Sequence, residues 1–165
     1  MPRSSSLLWG ALALGVVTGM RSMLAPTMTS RALATRPDIE DAAEPARTLA
    51  SSQTRLVLMP LAAGELLGDK LPFAPDRTIK ASMLVRALSG GVTAAALASA
   101  QRQPILLPAL IGATAACASA KIGIGLRKRY GSAGPLANAA LGFTEDALAL
   151  AIGSAGLRRA LTRRR

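Results

Sequence analysis

Two carboxylates stand four residues apart in a stretch of sequence that is otherwise largely apolar. Glu65 and Asp69 have the spacing that places two side chains on one face of a helix. Two carboxylates held that close repel each other unless a cation, a proton or an arginine lies between them. The pair therefore predicts either a cation or proton site or a structural ion pair near a helix end. Lys70 follows directly and belongs to the same candidate site.

A second acidic pair, Glu145 and Asp146, lies deep inside another apolar stretch. Ionised side chains at the centre of a membrane span cost about 2.5–3.5 kcal/mol each on insertion scales, so they need a role. Consecutive helical residues point about 100° apart, so only one of the two needs to face a site. We expect the other to pair with Arg86 or to meet the same group of a second subunit. Asn138, earlier in the same stretch, is a candidate for a hydrogen bond between helices.

Arg21 is the candidate anion-binding residue. It precedes Ser22 and, further on, Pro26, where we expect the helix to break. A break exposes backbone groups and hydroxyls beside a fixed positive charge, an arrangement that binds anions or phosphate. The alternative is an arginine that snorkels at a helix end. We expect Arg21 and Arg86 to supply the counter-charge to the carboxylates.

The composition excludes several classes of chemistry. The 165 residues amount to one domain by length, and they include one cysteine and no histidine. Catalysis by Ser-His or Cys-His pairs, histidine-ligated zinc, thiolate zinc cages and an intrachain disulfide are therefore excluded. An enzyme would depend on carboxylates and a divalent metal. We expect no enzymatic activity and no cofactor, and the pattern leaves metal binding by the carboxylates open.

The hydrophobic pattern is typical of a membrane protein. Half of the residues are apolar, only 2% are aromatic, and the mean hydropathy is +0.34 despite a net charge of +11. Residues 103–120 form an uncharged run of 18, and residues 105–120 show no polar face at the helical period. Small residues recur at four-residue spacing, as in Gly15 and Gly19, which is typical of helices packed in lipid. A soluble alanine-rich bundle is the alternative.

These features predict an all-α fold, a polytopic transmembrane helix bundle of about five membrane helices in a single integral membrane domain, residues 1–165. The predicted helices are Ser6–Met20, Leu49–Lys70, Lys80–Ala100, Gln103–Leu126 and Pro135–Arg159. We expect the first helix to continue past Arg21, break near Pro26 and resume as a half-helix, Ala25–Arg36. Residues 35–48 are predicted to form an exposed acidic loop, and residues 157–165 a basic tail.

Charges outside the predicted helices bear on location and partners. The arginine-rich tail favours a cytoplasmic C-terminus and predicts contact with anionic lipid headgroups. Nucleic acid is not an expected partner, because no groove of basic and aromatic residues is visible. A cleaved signal peptide is the competing interpretation of the N-terminus, although no clear cleavage site precedes a soluble domain. We expect a multi-pass protein of the bacterial inner membrane.

Four motifs follow one another along the chain. They are Gly19-Met20-Arg21-Ser22, Glu65-Leu66-Leu67-Gly68-Asp69-Lys70-Leu71-Pro72 with Pro75 and Arg77, Arg86 with Gly90-Gly91, and Glu145-Asp146. In order, spacing and residue type, this set resembles a bacterial domain-of-unknown-function family of small multi-pass integral membrane proteins. The resemblance covers nearly the whole chain. It implies an integral membrane protein with the same candidate residues, and it implies no particular activity.

A narrower likeness concerns the first acidic pair. The segment Glu65-x-x-Gly68-Asp69-Lys70 is similar to the E-x-G-D-K motif of cation/proton exchangers that move calcium and manganese, with one extra residue between acid and glycine. Those exchangers carry two such motifs in inverted repeats, whereas Thr144-Glu145-Asp146 lacks the Gly-Asp arrangement. The two acid-bearing segments still suggest a 2+1+2 plan of helices. In this plan the first two and the last two predicted helices form inverted units, and the third helix links them around a midplane site.

The leading functional hypothesis is a small transporter or channel for an ion or small solute. Glu65, Glu145 and Asp146 would line the path, and the arginines would hold counter-charge or an anionic group. The solute would be a cation, a proton or a small anion. Short helices with glycine faces favour a homo-oligomer, with a dimer preferred. The alternative is a non-transporting membrane assembly or lipid-binding protein whose buried charges are structural ion pairs.

Overall fold

The structure is a computed structural model of the chain, and it describes residues 2–68, 80–130 and 135–162. The described residues form α-helices and no strand, which confirms the predicted all-α fold. The helices are α1 (Pro2–Met20), α2 (Leu24–Ala34), α3 (Ala46–Ala50), α4 (Ser52–Gly68), α5 (Lys80–Ser99), α6 (Leu106–Tyr130) and α7 (Pro135–Leu161). The abundance of alanine and leucine and the scarcity of aromatic residues favour helices over strands.

Helix α1 lies at the centre of the bundle and packs closely along α6. A Cβ atom on Gly15 would lie 2.5 Å from the carbonyl oxygen of Gly112, and one on Gly19 would lie 2.6 Å from Cβ of Ser119. The two helices therefore run parallel, with small residues at the contact as their spacing predicted. Gly15 and Gly19 are thus packed within one chain, and the homo-oligomer expected from the glycine spacing stays a prediction.

Helices α5 and α7 run antiparallel to α1. The first half of α1 lies against their ends, since a Cβ atom on Gly10 would lie 2.8 Å from Cβ of Ala160 and 3.0 Å from Cδ2 of Leu97. The end of α1 lies against their first halves, through Arg86 and Asp146. We call the end of the bundle where α1 starts and α7 finishes the proximal end, and the opposite end the distal end.

The chain reverses direction between α1 and α2, inside the bundle and not at one of its ends. A Cβ atom on Gly153 would lie 3.4 Å from Val17 and 2.9 Å from Met28, so residues on both sides of the turn lie next to each other. Leu33 of α2 packs against the proximal end of α5. Helices α1 and α2 thus form a helical hairpin whose tip, Arg21–Met23, lies within the bundle.

The break predicted near Pro26 lies elsewhere in the structure. Helix α1 ends at Met20 and α2 begins at Leu24, so Pro26 is the third residue of α2. Proline is tolerated in a first helical turn, because the N–H groups of that turn have no partner within the helix. The predicted half-helix is present, but it runs back toward the proximal end.

Residues 35–45 connect α2 to α3 at the proximal end. Glu40 and Asp41 are exposed, as predicted for an acidic loop, whereas Ile39 and Ala42 are buried and hold the connection on the bundle. The predicted helix 49–70 is divided at Ser51 into α3 and α4. Helix α4 then runs along α2 toward the distal end.

Glu44 makes a pH-sensitive contact in this connection. Its carboxylate accepts a hydrogen bond from the backbone N–H of Thr48 at 3.1 Å and lies 3.2 Å from the guanidinium of Arg47. Hydrogen bonding from Thr48, through its side chain first and its backbone second, holds the pKa of Glu44 below its ordinary value of 4.5. We predict a Glu44 titration midpoint below 4.5 by carboxyl-carbon NMR, rising toward that value in Thr48→Val. A midpoint that the substitution leaves in place would contradict this account.

The core is mainly apolar, but it also buries polar and charged side chains, while large apolar side chains lie on the surface. Where the structure describes side chains, the buried polar and charged ones are Thr18, Arg21, Thr29, Ser30, Arg86, Thr93 and Ser99. Large apolar side chains point outward instead, and Leu56 and Leu106 are 76% and 71% exposed. Extended exposed apolar surface marks a membrane or an interaction site. Exposed apolar side chains around a core that also holds ionisable groups suit a protein surrounded by lipid.

Three described helical segments are long and apolar enough to cross a membrane: Ala81–Ser99, Leu106–Leu126 and Ala140–Leu161. Segment Ser4–Met20 is apolar but shorter. This is fewer than the predicted count of about five. Helix α2 is the return arm of the hairpin, and α4 has only 17 residues, Arg55 and Glu65 among them. Helices fit to span a membrane are confirmed, and the predicted number is not.

Candidate functional site

The candidate site is built around the hairpin tip, where two helix ends face the interior of the bundle. A helix leaves N–H groups without partners at its start and carbonyl groups without partners at its end, with partial positive and negative charge respectively. From Trp9 to Arg21 the chain advances about 18 Å along the axis of α1, at 1.5 Å per residue. Both sets of backbone groups therefore need partners deep inside an apolar bundle.

Arg86 of α5 satisfies the end of α1. Its Nη1 atom donates to the carbonyl oxygen of Gly19 at 2.8 Å and to that of Thr18 at 3.3 Å. A buried cation at the negative end of a helix is electrostatically favourable. Helix α5 also packs closely on α6, because Gly90 has no side chain. A Cβ atom on Gly90 would lie 2.7 Å from the carbonyl oxygen of Gly112 in α6.

Glu65 of α4 binds the N–H groups of the hairpin tip, just before the start of α2. Its Oε1 atom accepts hydrogen bonds from the backbone N–H of Ser22 at 2.7 Å and from the Ser22 hydroxyl at 2.8 Å, and its Oε2 atom accepts one from the N–H of Met23 at 2.8 Å. Glu65 Oε1 also lies 3.9 Å from Nη2 of Arg86. The anion expected at this helix break is therefore the chain's own carboxylate.

Arg21, at the tip itself, reaches the acidic pair of α7. Its Nε atom donates to Oδ1 of Asp146 at 2.6 Å, and its Nη2 atom lies 3.8 Å from Oε2 of Glu145. The Arg21 side chain is 1% exposed, so it does not snorkel to a helix end. The sequence pattern required only one acid of the pair to face a site, and in the structure both lie near Arg21, because the guanidinium is broad enough to reach both carboxylates.

Five ionisable side chains, from three helices and the hairpin tip, thus form a charged cluster. Its members are Arg21, Glu65, Arg86, Glu145 and Asp146. With all five ionised, two guanidinium groups face three carboxylates, a formal charge of −1 for these described residues. Arg86 and Glu145 lie about 9 Å and about 15 Å along their helices from Lys80 and Pro135, at 1.5 Å per residue. The charged cluster is therefore inside the bundle.

A narrow cleft opens into the charged cluster. It is lined by Gly19, Arg86, Ala120, Gly123, Ile124 and Glu145. Its interior has space for about one water molecule. A Cβ atom on Gly123 would lie 3.3 Å from Oε1 of Glu145, so the glycine leaves room for the carboxylate against α6. Glu145 is thereby placed between a buried arginine and a water-sized space.

Three residues predicted from the sequence are not placed by the structure. Asp69 and Lys70 lie outside the described residues, so their spacing relative to Glu65 stays a prediction. Asn138 belongs to α7, but its side chain is outside the described part, so its predicted bond between helices also stays a prediction. The structure brings together Arg21, Glu65, Arg86 and the α7 pair.

Sequence reasoning did not assign roles to three other polar groups. The backbone N–H of Met23 binds Glu65, the hydroxyl of Ser89 donates to the carbonyl oxygen of Ser22 at 2.7 Å, and that of Ser119 donates to Val16 at 2.9 Å. A backbone contribution leaves no signal in the residue type. The serines were detectable only as hydroxyl groups inside apolar helices.

The donor set limits what the charged cluster can hold. Among the described residues, no group of three or more His, Cys, Asp or Glu side chains is close enough to hold a metal ion. A carboxylate beside an arginine can exchange a proton or associate with a small cation. Comparison of the chain with protein-family models, with curated proteins and with solved structures finds no match, so its function is inferred from this geometry.

Proposed function

We propose that the protein is a small multi-pass membrane transporter or channel that carries a proton or small cation past Glu145. The position of Glu145 is the observation that supports this proposal. Its carboxylate lines a water-sized cleft inside the bundle, beside the buried guanidinium of Arg86. Ionisable side chains within membrane bundles commonly mark ion pathways and proton relays.

The charges favour a cation over an anion. Glu145 lines the cleft with a carboxylate, a group that can take up a proton or associate with a small cation. The N–H groups at the hairpin tip, where an anion would bind, are already bound by Glu65. The cleft holds about one water molecule, so solutes much larger than water do not fit this conformation.

The hairpin indicates a topology for the proposed transporter. Its two arms enter and leave at the proximal end, while α4, α5, α6 and α7 each run between the two ends. We assign one re-entrant hairpin, three crossings by the long apolar helices α5, α6 and α7, and a fourth crossing by the shorter α4, with the start of α1 and the end of α7 on one side. The positive-inside rule assigns that side to the cytoplasm of a bacterial inner membrane. We propose this plan in place of the 2+1+2 arrangement, because α6 and α7, the described helices of the second unit, are long helices and do not turn inside the bundle as α1 and α2 do.

A homo-oligomer, with a dimer preferred, stays part of the proposal. Helix α4 directs Leu56, Val57 and Leu67 outward, and a Cβ atom on Gly64 would meet nothing within 4 Å, so this helix has room for a second copy. The resemblance to a family of small bacterial membrane proteins agrees with this architecture. That the protein has no enzymatic activity and no cofactor also stays a prediction.

Glu145→Gln tests the proposal in proteoliposomes that contain a pH-sensitive or cation-sensitive dye. Removing the ionisable group is expected to reduce flux to that of protein-free liposomes, while the bundle stays folded. Glu40→Gln is the matched control, because it removes an exposed carboxylate remote from the charged cluster. Glu65→Gln is expected to lower flux indirectly, by loosening the hairpin tip. Unchanged flux in both Glu145→Gln and Glu65→Gln would exclude the carboxylates from the mechanism.

The second candidate function is a non-transporting membrane assembly or lipid-binding protein. It is supported by the short bonds of Glu65 to the hairpin tip and of Asp146 to Arg21, which suit structural ion pairs. Such a protein would show no flux above protein-free liposomes, and the carboxylate variants would change only its stability. The same proteoliposome experiment therefore separates the two candidates.

A further inference from the structure

Arginines gather at the proximal end of the bundle. Those described there are Arg31, Arg36, Arg47, Arg55, Arg102, Arg158 and Arg159. The acids at this end are Asp38, Glu40, Asp41 and Glu44. Asp38 lies 2.8 Å from the guanidinium of Arg36, and Glu44 lies 3.2 Å from that of Arg47. Seven arginines against four acids leave a formal charge of +3 among these residues.

The exposed Trp9 lies at the same end. Its side chain is 53% exposed, and the guanidinium carbon of Arg159 lies 5.7 Å from the centre of its ring. Arg158 and Arg159 are exposed in the last turn of α7. Leu12, one turn further along α1, is also exposed. A tryptophan beside an arginine, with an exposed apolar side chain one turn away, is typical of the boundary between headgroups and acyl chains.

We infer that Trp9, Arg158 and Arg159 form a binding surface for an anionic phospholipid. The guanidinium groups offer planar donors that match a phosphate oxygen pair. The Trp9 ring suits the interface between headgroup and hydrocarbon, and Leu12 suits contact with the acyl chain. Because the surface joins a positive rim to an apolar face, it fits a lipid and not free phosphate. This inference does not depend on the proposed transport activity.

Trp9 provides its own measurement, because it is the only tryptophan in the chain. The full-length protein is reconstituted into two vesicle preparations that both contain phosphatidylglycerol and phosphatidylcholine in equal mole fractions. In one preparation the phosphatidylglycerol is brominated on its acyl chain, and in the other the phosphatidylcholine is. Bromine quenches nearby tryptophan, so quenching reports the lipid itself and not a free anion. We expect phosphatidylglycerol to be preferred by about fivefold for each contributing arginine. Equal quenching by the two lipids would overturn the inference.

The double variant Arg158→Gln with Arg159→Gln identifies the residues responsible. It is expected to bring the preference for phosphatidylglycerol close to one, with Trp9 still quenched by both lipids. Lys121→Gln is the matched control, since it removes an exposed cation from α6 and is expected to keep the preference. A preference that persists in the double variant would contradict the assignment. High salt is expected to weaken the preference of the wild-type protein.

Discussion

Replacing Arg86 by methionine is expected to lower the free energy of unfolding by about 3–5 kcal/mol, the usual cost of removing one partner of a buried ion pair. The substitution leaves the carbonyl groups of Thr18 and Gly19 without their buried cation and removes the counter-charge of Glu65. Unfolding by denaturing detergent, followed by far-UV circular dichroism, measures the change. Lys121→Met removes an exposed cation and is expected to change stability by less than about 0.5 kcal/mol.

Combining Arg86→Met with Glu65→Gln tests why Arg86 matters. If Arg86 stabilises the fold by neutralising Glu65, the double variant loses less stability than the two single variants added together. Coupling energies between groups in direct contact are about 0.5–3 kcal/mol. Additive losses would mean that Arg86 acts only on the carbonyl groups of α1. A stability loss no larger than that of Lys121→Met would contradict the account of the hairpin tip altogether.

The identity of the charged residues was predictable, because an ionised side chain in an apolar segment is costly wherever it lies in the fold. Arg21, Glu65, Arg86 and the α7 pair were all identified on that basis. Their partners were not predictable. Glu65 binds backbone N–H groups at Ser22 and Met23, and those groups become available only because the chain reverses at the tip.

The position of the reversal was hidden for a local reason. Pro26 is the strongest helix-breaking residue in its segment, yet it lies in the first turn of α2, where proline costs little. The actual turn at Arg21–Met23 contains no proline or glycine. It is held by Glu65 and Arg86, which come from other helices, so the local sequence carried little sign of it.

The number of membrane spans was overestimated, because an uncharged run shows that a helix is hydrophobic but does not show whether the chain crosses the bundle or turns back inside it. Helix α1 is as apolar as a membrane helix. However, α1 and α2 are the two arms of one hairpin, which enters the bundle from the proximal end and returns to it. The small-residue spacing predicted close packing correctly at Gly15 and Gly19. It did not tell whether the partner helix belongs to the same chain.

Gly112→Ala is expected to destabilise the bundle by about 1–3 kcal/mol, the usual effect of overpacking. Gly112 lies between α1 and α5: a Cβ atom there would meet the carbonyl oxygen of Gly90 and would lie 2.7 Å from Cβ of Ala94. The contact involves backbone, so no side chain can rotate away and α6 must shift. The same detergent unfolding experiment measures the loss.

Gly125→Ala is the matched control, with the same substitution on the same helix. A Cβ atom at Gly125 would meet nothing within 4 Å, so only helix propensity changes, which favours alanine by up to about 1 kcal/mol. Equal behaviour of the two variants would contradict tight packing at Gly112. A shift of α6 also moves Ala120 and Gly123, which line the cleft beside Glu145. If Glu145 carries the ion, Gly112→Ala should therefore alter flux in molecules that remain folded, and Gly125→Ala should not.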